Sequence, residues 1–567
     1  MTQTGTAATP VETKSDHSIL YLFIGLMIAM LLAALNQTVL STALPTIVGE
    51  LDGVDQMTWV ITAYILASTV VMPVYGRISD LLGRRPILMV AIVLFIAGSV
   101  VGALAGNIEV LIAARVLQGL GGGGLMILSQ AAIADVVPAR ERGRYMGAMG
   151  AVFAVASVAG PLLGGWLTEG PGWRWAFWMN VPLGLLALVA CFVFLKLPKP
   201  DLVERPRLDY LGMALIGAAT TTLVLVSTWG GNTYAWASPQ IIGLIAATVV
   251  LAVAFCLAEL RAEYPVIPMA LFRDRNFTLT TIASLAIGIA MFGALGYMPT
   301  YIQMVTGVSA TVAGLLMIPM MGGLLVASVV SGRLVSSTGH YKGFPIAGSI
   351  VLGIGLGLLS TLQVESPTWL MCTYLAIIGI GIGLALQILT LIVQNSFPGR
   401  IVGTATAASN YFRQVGATLG SAVVGSIFAS RLITILAEKL ADSPLAQQAS
   451  GGGGDEFRQH LTPAGVNALP EAIRQPIIHS YNEALLPIFL FLVPIAAIAL
   501  IALLFVEQKP LSTSVQDEIT AESLAEGQLL EMVDDDPRST VTHHTPRSTE
   551  ESLAQPGAPE PEKAERS

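Results

Sequence analysis

The chain has 567 residues, of which 54% are apolar and only 12% charged, with a mean hydropathy of +0.71. Soluble domains run at about 45–50% apolar and about 25% charged. A chain this long cannot hide the excess in one globular core, so lipid is the solvent for most of it and a soluble enzyme is excluded. The formal net charge of −8 collects in the C-terminal tail and gives no sign of nucleic-acid binding.

Residues 1–17 form a polar segment, and the apolar run after it is too long for a signal-peptide core and has no evident cleavage site, so it is expected to stay as a helix. Apolar stretches long enough to cross a bilayer, at about 20 residues each, then recur fourteen times. The first eight are 18–42, 57–76, 86–105, 109–135, 143–168, 173–195, 209–228 and 239–260. The last six are 277–303, 311–335, 344–363, 368–394, 403–430 and 484–506. Lys and Arg sort between the connecting loops. One alternate set holds Arg77, Arg84, Arg85, Arg140, Arg142, Arg144, Lys196, Lys199, Arg205, Arg207, Arg261, Arg273, Arg275, Arg333, Lys342 and Arg400, while the other short loops hold only Arg174. By the positive-inside rule both termini are cytoplasmic in a multi-pass protein of the cell inner (plasma) membrane. Cys191, Cys256 and Cys372 lie in apolar runs and read as small hydrophobes rather than a disulfide framework.

Two stretches fall outside the membrane. Residues 431–483 are expected as one long outer loop, with Gly451 to Gly454 as a flexible joint and short amphipathic helices near 436–440 and 470–474. Residues 511–567 are acidic and rich in Pro, Ser and Thr, as in a disordered cytoplasmic tail. The His543–His544 pair belongs to that solvated tail, and no metal site or cofactor is expected.

The segment Gly76–Arg85 after the second stretch returns as Gly332–His340 after the tenth, with the same Gly, +4, +7 spacing but without the Asp and one Arg. With 209–260 read as an insertion, the chain divides into a six-helix bundle at 18–195, two linker helices within 196–276 and a second six-helix bundle at 277–510. Two such halves around a midplane cavity are a transporter design.

Four further motifs accompany Gly76–Arg85: Leu111–Gly119, Gly160–Gly165, Trp173–Pro182 and Leu35–Pro45. In order and position they resemble the major facilitator superfamily, specifically its fourteen-helix drug:proton antiporter group, over roughly 18–510. The resemblance implies an all-α integral membrane fold of two six-helix bundles of the major facilitator type plus two additional helices, and a secondary transporter with a small-molecule substrate, proton exchange and membrane lipid as its surroundings. A monomer is expected.

Gly76, Arg77, Asp80, Gly83, Arg84 and Arg85 read either as a conformational latch at the cytoplasmic helix ends or as a plain topology-determining basic loop. Arg115 is a cation some two turns into helix 4, where an intramembrane charge is a functional hypothesis by default. It is expected to face a solvent-reachable channel, and the resemblance implies a part in proton coupling. Gly160, Pro161, Gly164 and Gly165 give helix 5 a flat face for close packing, which the resemblance identifies as the antiporter motif. In helix 1, Asn36 stands where the group usually has Asp, and no Asp, Glu or His lies near the centre of any stretch. If transport is proton-driven, a peripheral acid such as Asp135 or Glu109 must then titrate, or the substrate carries the proton. Asn36, Gln37, Trp59, Tyr64, Gln118, Gln387, Asn410, Arg413 and Gln414 are candidates to line the cavity.

Three functions fit unequally. The first is export of lipophilic or amphiphilic small molecules (multidrug efflux) by alternating access. The second is export of a dedicated metabolite, polyamine or lipid precursor. A membrane-embedded enzyme or receptor is remote, because the stretches offer neither a nucleophile–base pair nor a metal-ligand cluster.

Overall fold

The computed structural model describes residues 16–53, 56–195, 208–231, 233–439, 465–466 and 470–513. The Gly451–Gly454 joint and the His543–His544 pair lie outside the described residues. Fourteen membrane helices are present among the described residues. Thirteen are long and apolar enough to cross a bilayer, and Gly343–Leu359, with 17 residues, is the fourteenth. At 1.5 Å per residue it reaches about 25 Å.

We number the helices by crossing. The first bundle is α1 (Asp16–Glu50), α2 (Met57–Leu82), α3 (Arg84–Ala103), α4 (Ile108–Val136), α5 (Ala139–Glu169) and α6 (Trp175–Trp178 continued by Asn180–Phe194). Then come α7 (Tyr210–Trp229) and α8 (Pro239–Glu259). The second bundle is α9 (Arg275–Leu295 continued by Met298–Thr306), α10 (Ala310–Leu316 continued by Ile318–Thr338), α11 (Gly343–Leu359), α12 (Thr368–Gln394), α13 (Val402–Lys439) and α14 (Glu471–Leu504). The breaks in α9 and α10 fall just before Pro299 and Pro319, each in the first turn of the helix that follows. A proline has no N–H to give and its ring clashes with the carbonyl four residues back, so the preceding ladder stops there.

Side-chain contacts fix which helix ends lie together. Arg174 pairs with Glu50 at 2.5 Å and Lys439 with Glu483 at 2.5 Å, at what we call the Trp173 end. Arg84 contacts Asp135, and Lys342 Nζ donates to the Leu504 carbonyl at 2.9 Å, at the opposite or Gly83 end. The end of α1 thus lies with the start of α6, and the start of α3 with the end of α4.

Each bundle has its own apolar interior, around Leu26, Leu88, Phe95, Leu128 and Met146 in the first and Ile287, Leu356, Leu375, Ile388 and Phe489 in the second. The α7–α8 pair touches both. Trp229 stacks edge-on against Trp59 of α2 at 6.1 Å, and Thr220 hydrogen-bonds Tyr411 of α13 at 2.8 Å. Beyond it, α8 presents Val249, Val250 and Val253 to the surroundings, as a lipid-facing helix must.

Several expected boundaries move. The amphipathic segments expected near 436–440 and 470–474 are mostly continuations of α13 and α14, which extend to Lys439 and from Glu471. The described chain after α14 is packed as far as Ser512. Lys509 N donates to the Tyr341 hydroxyl at 2.7 Å, Leu511 is buried, and Arg140 N of α5 donates to the Ser512 carbonyl at 3.0 Å. Segment 76–85 is not a loop. It is helical except for Gly83, whose φ of +91° lets two antiparallel helices join through one residue.

Candidate functional site

The Gly83 end is where the bundles meet. Asp80, in the last turn of α2, reaches across to the first turn of α13. It accepts from Thr404 N at 2.6 Å, Thr404 Oγ1 at 2.7 Å and Gly403 N at 3.2 Å. The first N–H groups of a helix have no partner within it and carry the positive end of its dipole, so a carboxylate is the fitting occupant. Arg84 Nη1 lies 3.1 Å from Asp80 Oδ1, its Nε donates to Asp135, and its Nη2 donates to the Gly399 carbonyl at 3.1 Å. The side chains of Asp80 and Arg84 are 1% and 5% exposed and that of Asp135 is 20% exposed, so the Asp80–Arg84 pair is dry while Asp135 sits at its edge. Two carboxylates share one guanidinium, with α13 bound to one of them.

Of the expected latch residues, Gly76, Asp80, Gly83 and Arg84 converge here. Arg85 turns away to donate to the Phe192 carbonyl at 2.7 Å, near the end of α6, and Arg77 is only half buried. Asp135, named with Arg115 as a proton-coupling candidate, belongs to this cluster. The two lie twenty residues apart on one helix, about 30 Å.

The internal repeat acquires a geometric meaning at this end. A Cβ on Gly76 would lie 2.9 Å from the Gly403 carbonyl of α13, and one on Gly143 of α5 would lie 2.9 Å from the Gly332 carbonyl of α10. Each repeat glycine thus lets the second helix of one bundle touch the start of the fifth helix of the other. The residue four further on hydrogen-bonds to the opening turns of that fifth helix in both copies. Asp80 does so with charge, while Ser336 does so without, accepting from Arg144 N at 2.9 Å and donating to the Glu141 carbonyl at 3.3 Å. Further along the seam, Gln394 Nε2 donates to the Gln130 carbonyl at 3.2 Å and Asn410 Nδ2 to Gln130 Oε1 at 3.1 Å. Gln387 of α12 faces Gly150 of α5, its Oε1 buried without a partner.

Arg115 is not in an open channel: it is 2% exposed, inside the first bundle. Its Nε donates to the Val60 carbonyl at 3.1 Å and its Nη1 to Gln118 Oε1 at 2.8 Å, and its guanidinium lies over the Tyr64 ring at 4.3 Å. Gln118 Nε2 continues to Ser99 Oγ at 2.8 Å and Asn36 Oδ1 at 3.2 Å, and Asn180 Nδ2 adds a second donor to Asn36 at 3.2 Å. One network therefore ties α1, α2, α3, α4 and α6. Among the described residues no carboxylate pairs with Arg115; neutral oxygens and a π face hold its charge. Asn36, Tyr64 and Gln118, expected to line the cavity, are buried in this network. Trp59 is occupied by Trp229.

The antiporter-motif residues divide. Gly160 packs on Thr38 of α1, a Cβ on Gly164 would lie 2.6 Å from the Val39 carbonyl, and Thr38 Oγ1 donates to the Ala156 carbonyl at 3.0 Å. A Cβ on Gly314 of α10 would lie 3.7 Å from Pro161 Cβ, across the bundles, whereas one on Gly165 would meet nothing within 4 Å. What remains open is the α1 stripe of Gln37 and Ser41, both exposed, and Arg413 and Gln414 of α13, both partly so. Sequence reasoning passed over Thr404, Gln130, Gln394, Ser336 and Ser99. A search for uncharged polar residues within apolar stretches would have flagged Gln130 and Gln394.

The Major Facilitator Superfamily model matches residues 26–421. An uncharacterized MFS-type transporter of Mycobacterium tuberculosis is 40% identical over 507 residues, 89% of this chain and 72% of the relative. The multidrug transporter protein MdtP of Bacillus subtilis is 36% identical over 473 residues, 82% of this chain and 87% of the relative. Among solved structures, the proton:xylose symporter XylE superposes with a TM-score of 0.52 at 15% identity, over 88% of this chain and 98% of that one, a likeness of fold alone. With two six-helix bundles, a repeated seam and these matches, the chain belongs to the major facilitator superfamily and is a transporter of the fourteen-helix group, not an enzyme.

Proposed function

We propose that the chain exports lipophilic or amphiphilic small molecules by alternating access, in exchange for protons, with the Gly83 end facing the cytoplasm. The observation that carries this reading is the pair of repeat-related seams at one end. Backbones in close approach at Gly76–Gly403 and Gly143–Gly332 close that end, with the Asp80–Arg84 cluster fastening the first of them, and can part as rigid faces once that cluster lets go. The basic residues of the alternate loops support the cytoplasmic assignment of that end. Efflux is supported by the names of relatives such as the multidrug transporter MdtP and multidrug resistance protein 3 of Bacillus subtilis.

Proton exchange would run through Asp135. Protonating Asp135 removes the contact that braces Arg84 against α4. Everted membrane vesicles test this directly. Energised vesicles carrying the protein are expected to accumulate lipophilic dyes, and a proton ionophore is expected to collapse the gradient. Accumulation that survives the ionophore removes proton exchange. Failure across a broad dye and antibiotic panel favours the dedicated-substrate reading.

A further inference from the structure

Arg413 stands eleven residues into α13, about 17 Å along it, within a membrane-spanning helix. It shares a stripe with Thr406, Asn410 and Ala417, at the i, i+4, i+7, i+11 spacing of one helix face. That face looks at the first bundle, since Asn410 bonds Gln130 of α4. Along α13 this is the last hydrogen bond between bundles among the described residues, and Arg413 comes one turn further toward the Trp173 end. The other sides of α13 are taken: Gly416 and Gly420 pack on the Leu285 and Ile289 carbonyls of α9, and Tyr411 meets Thr220 of α7.

The Arg413 guanidinium has no hydrogen bond and no ion pair among the described residues, and it is only half buried. Arg115 differs, its donors being taken by Val60 and Gln118. The centres of the described spans hold no Asp, Glu or His that could answer either cation. An unpaired guanidinium in a membrane-spanning helix is costly unless something arrives to pair with it.

We propose that the space beside Arg413 binds the acidic head group of a lipophilic anion, a carboxylate or sulfonate. The planar guanidinium fork matches two such oxygens, and the same charge repels cationic amphiphiles. This deepens the export reading above and rests on it for the direction of transport, but the binding itself stands on Arg413.

The test uses the purified full chain and three probes with one apolar body: 1-pyrenebutyrate, its neutral amide and the corresponding primary amine. Wild type is expected to bind the butyrate most tightly. Arg413→Gln is expected to weaken the butyrate by about 10-fold or more, the loss for a charge-assisted contact, and to leave the amide unchanged; Arg413→Lys should fall between. Equal butyrate affinity in wild type and Arg413→Gln, tighter binding of the amine by wild type, or no butyrate binding by folded wild type overturns the proposal. Should Arg413→Gln not fold, the head-group order in wild type and Arg413→Lys decides. Translocation is read separately in proteoliposomes: binding without transport leaves the anion site standing and removes export.

Discussion

Asn36 is the residue at which sequence and structure are most informative together. Its Oδ1 accepts from both Gln118 and Asn180, and Gln118 is in turn bonded to Arg115. An Asp keeps both acceptor roles, gives up only the 3.5 Å donation from Asn36 Nδ2 to Gln118 Oε1, and adds a negative charge one residue away from a cation that no carboxylate answers among the described residues. Asn36→Asp is therefore expected to melt at or above the wild-type temperature. Asn36→Leu strands two buried donors, at about 1–3 kcal/mol each, and should melt well below it. Thermal unfolding of the purified full chain reads both. If Asn36→Asp loses as much as Asn36→Leu, the charge of Arg115 is not felt at position 36. The sequence singled out Arg115 and Asn36 because a charge, or a missing one, stands out in an apolar stretch. It could not show that Arg115 turns inward, because Val60 and Tyr64 lie on another helix. Nor could it show what Asp135 touches, because its partner Arg84 is 51 residues away.

Among elements, the helices were legible and their joints were not. Length and hydropathy suffice to count crossings. A glycine at a turn and a glycine at a close approach look alike in sequence, however. Gly76 and Gly83 both suggested a loop, yet only Gly83 turns; Gly76 sits within a helix and admits α13. The repeat at Gly332 was visible, but its partner Gly143 was not, since touching requires only that both be small. Gly76→Val and Gly332→Val are expected to hold the seams apart and cut transport by about 10-fold or more, equivalent to about 1.4 kcal/mol, at normal membrane levels. Gly322→Val, in the same helix as Gly332 but with open space around it, should transport as wild type. Equal activity of all three in a vesicle assay would mean that the seams carry no conformational energy.

For the whole molecule, a closed Gly83 end is one of the two arrangements that alternating access requires. Most of each apolar interior lies within one bundle, so opening must part only the shared contacts, such as Ala139 and Ala154 of α5 against the second interior and Met72 and Ile127 against Ala407. The described chain also crosses that end after α14, where Ser512 meets Arg140, so opening must release this strap as well. The most direct measurement is the pair of distances across the seam between α5 and α10. Spin labels at Glu141 and Thr338 report the Gly83 end, and labels at Glu169 and Thr311 report the Trp173 end, with Cys191, Cys256 and Cys372 replaced by Ser. Substrate or a change of pH is expected to lengthen one distance while the other shortens. Two distances that stay fixed, or that lengthen together, would contradict alternating access in this chain.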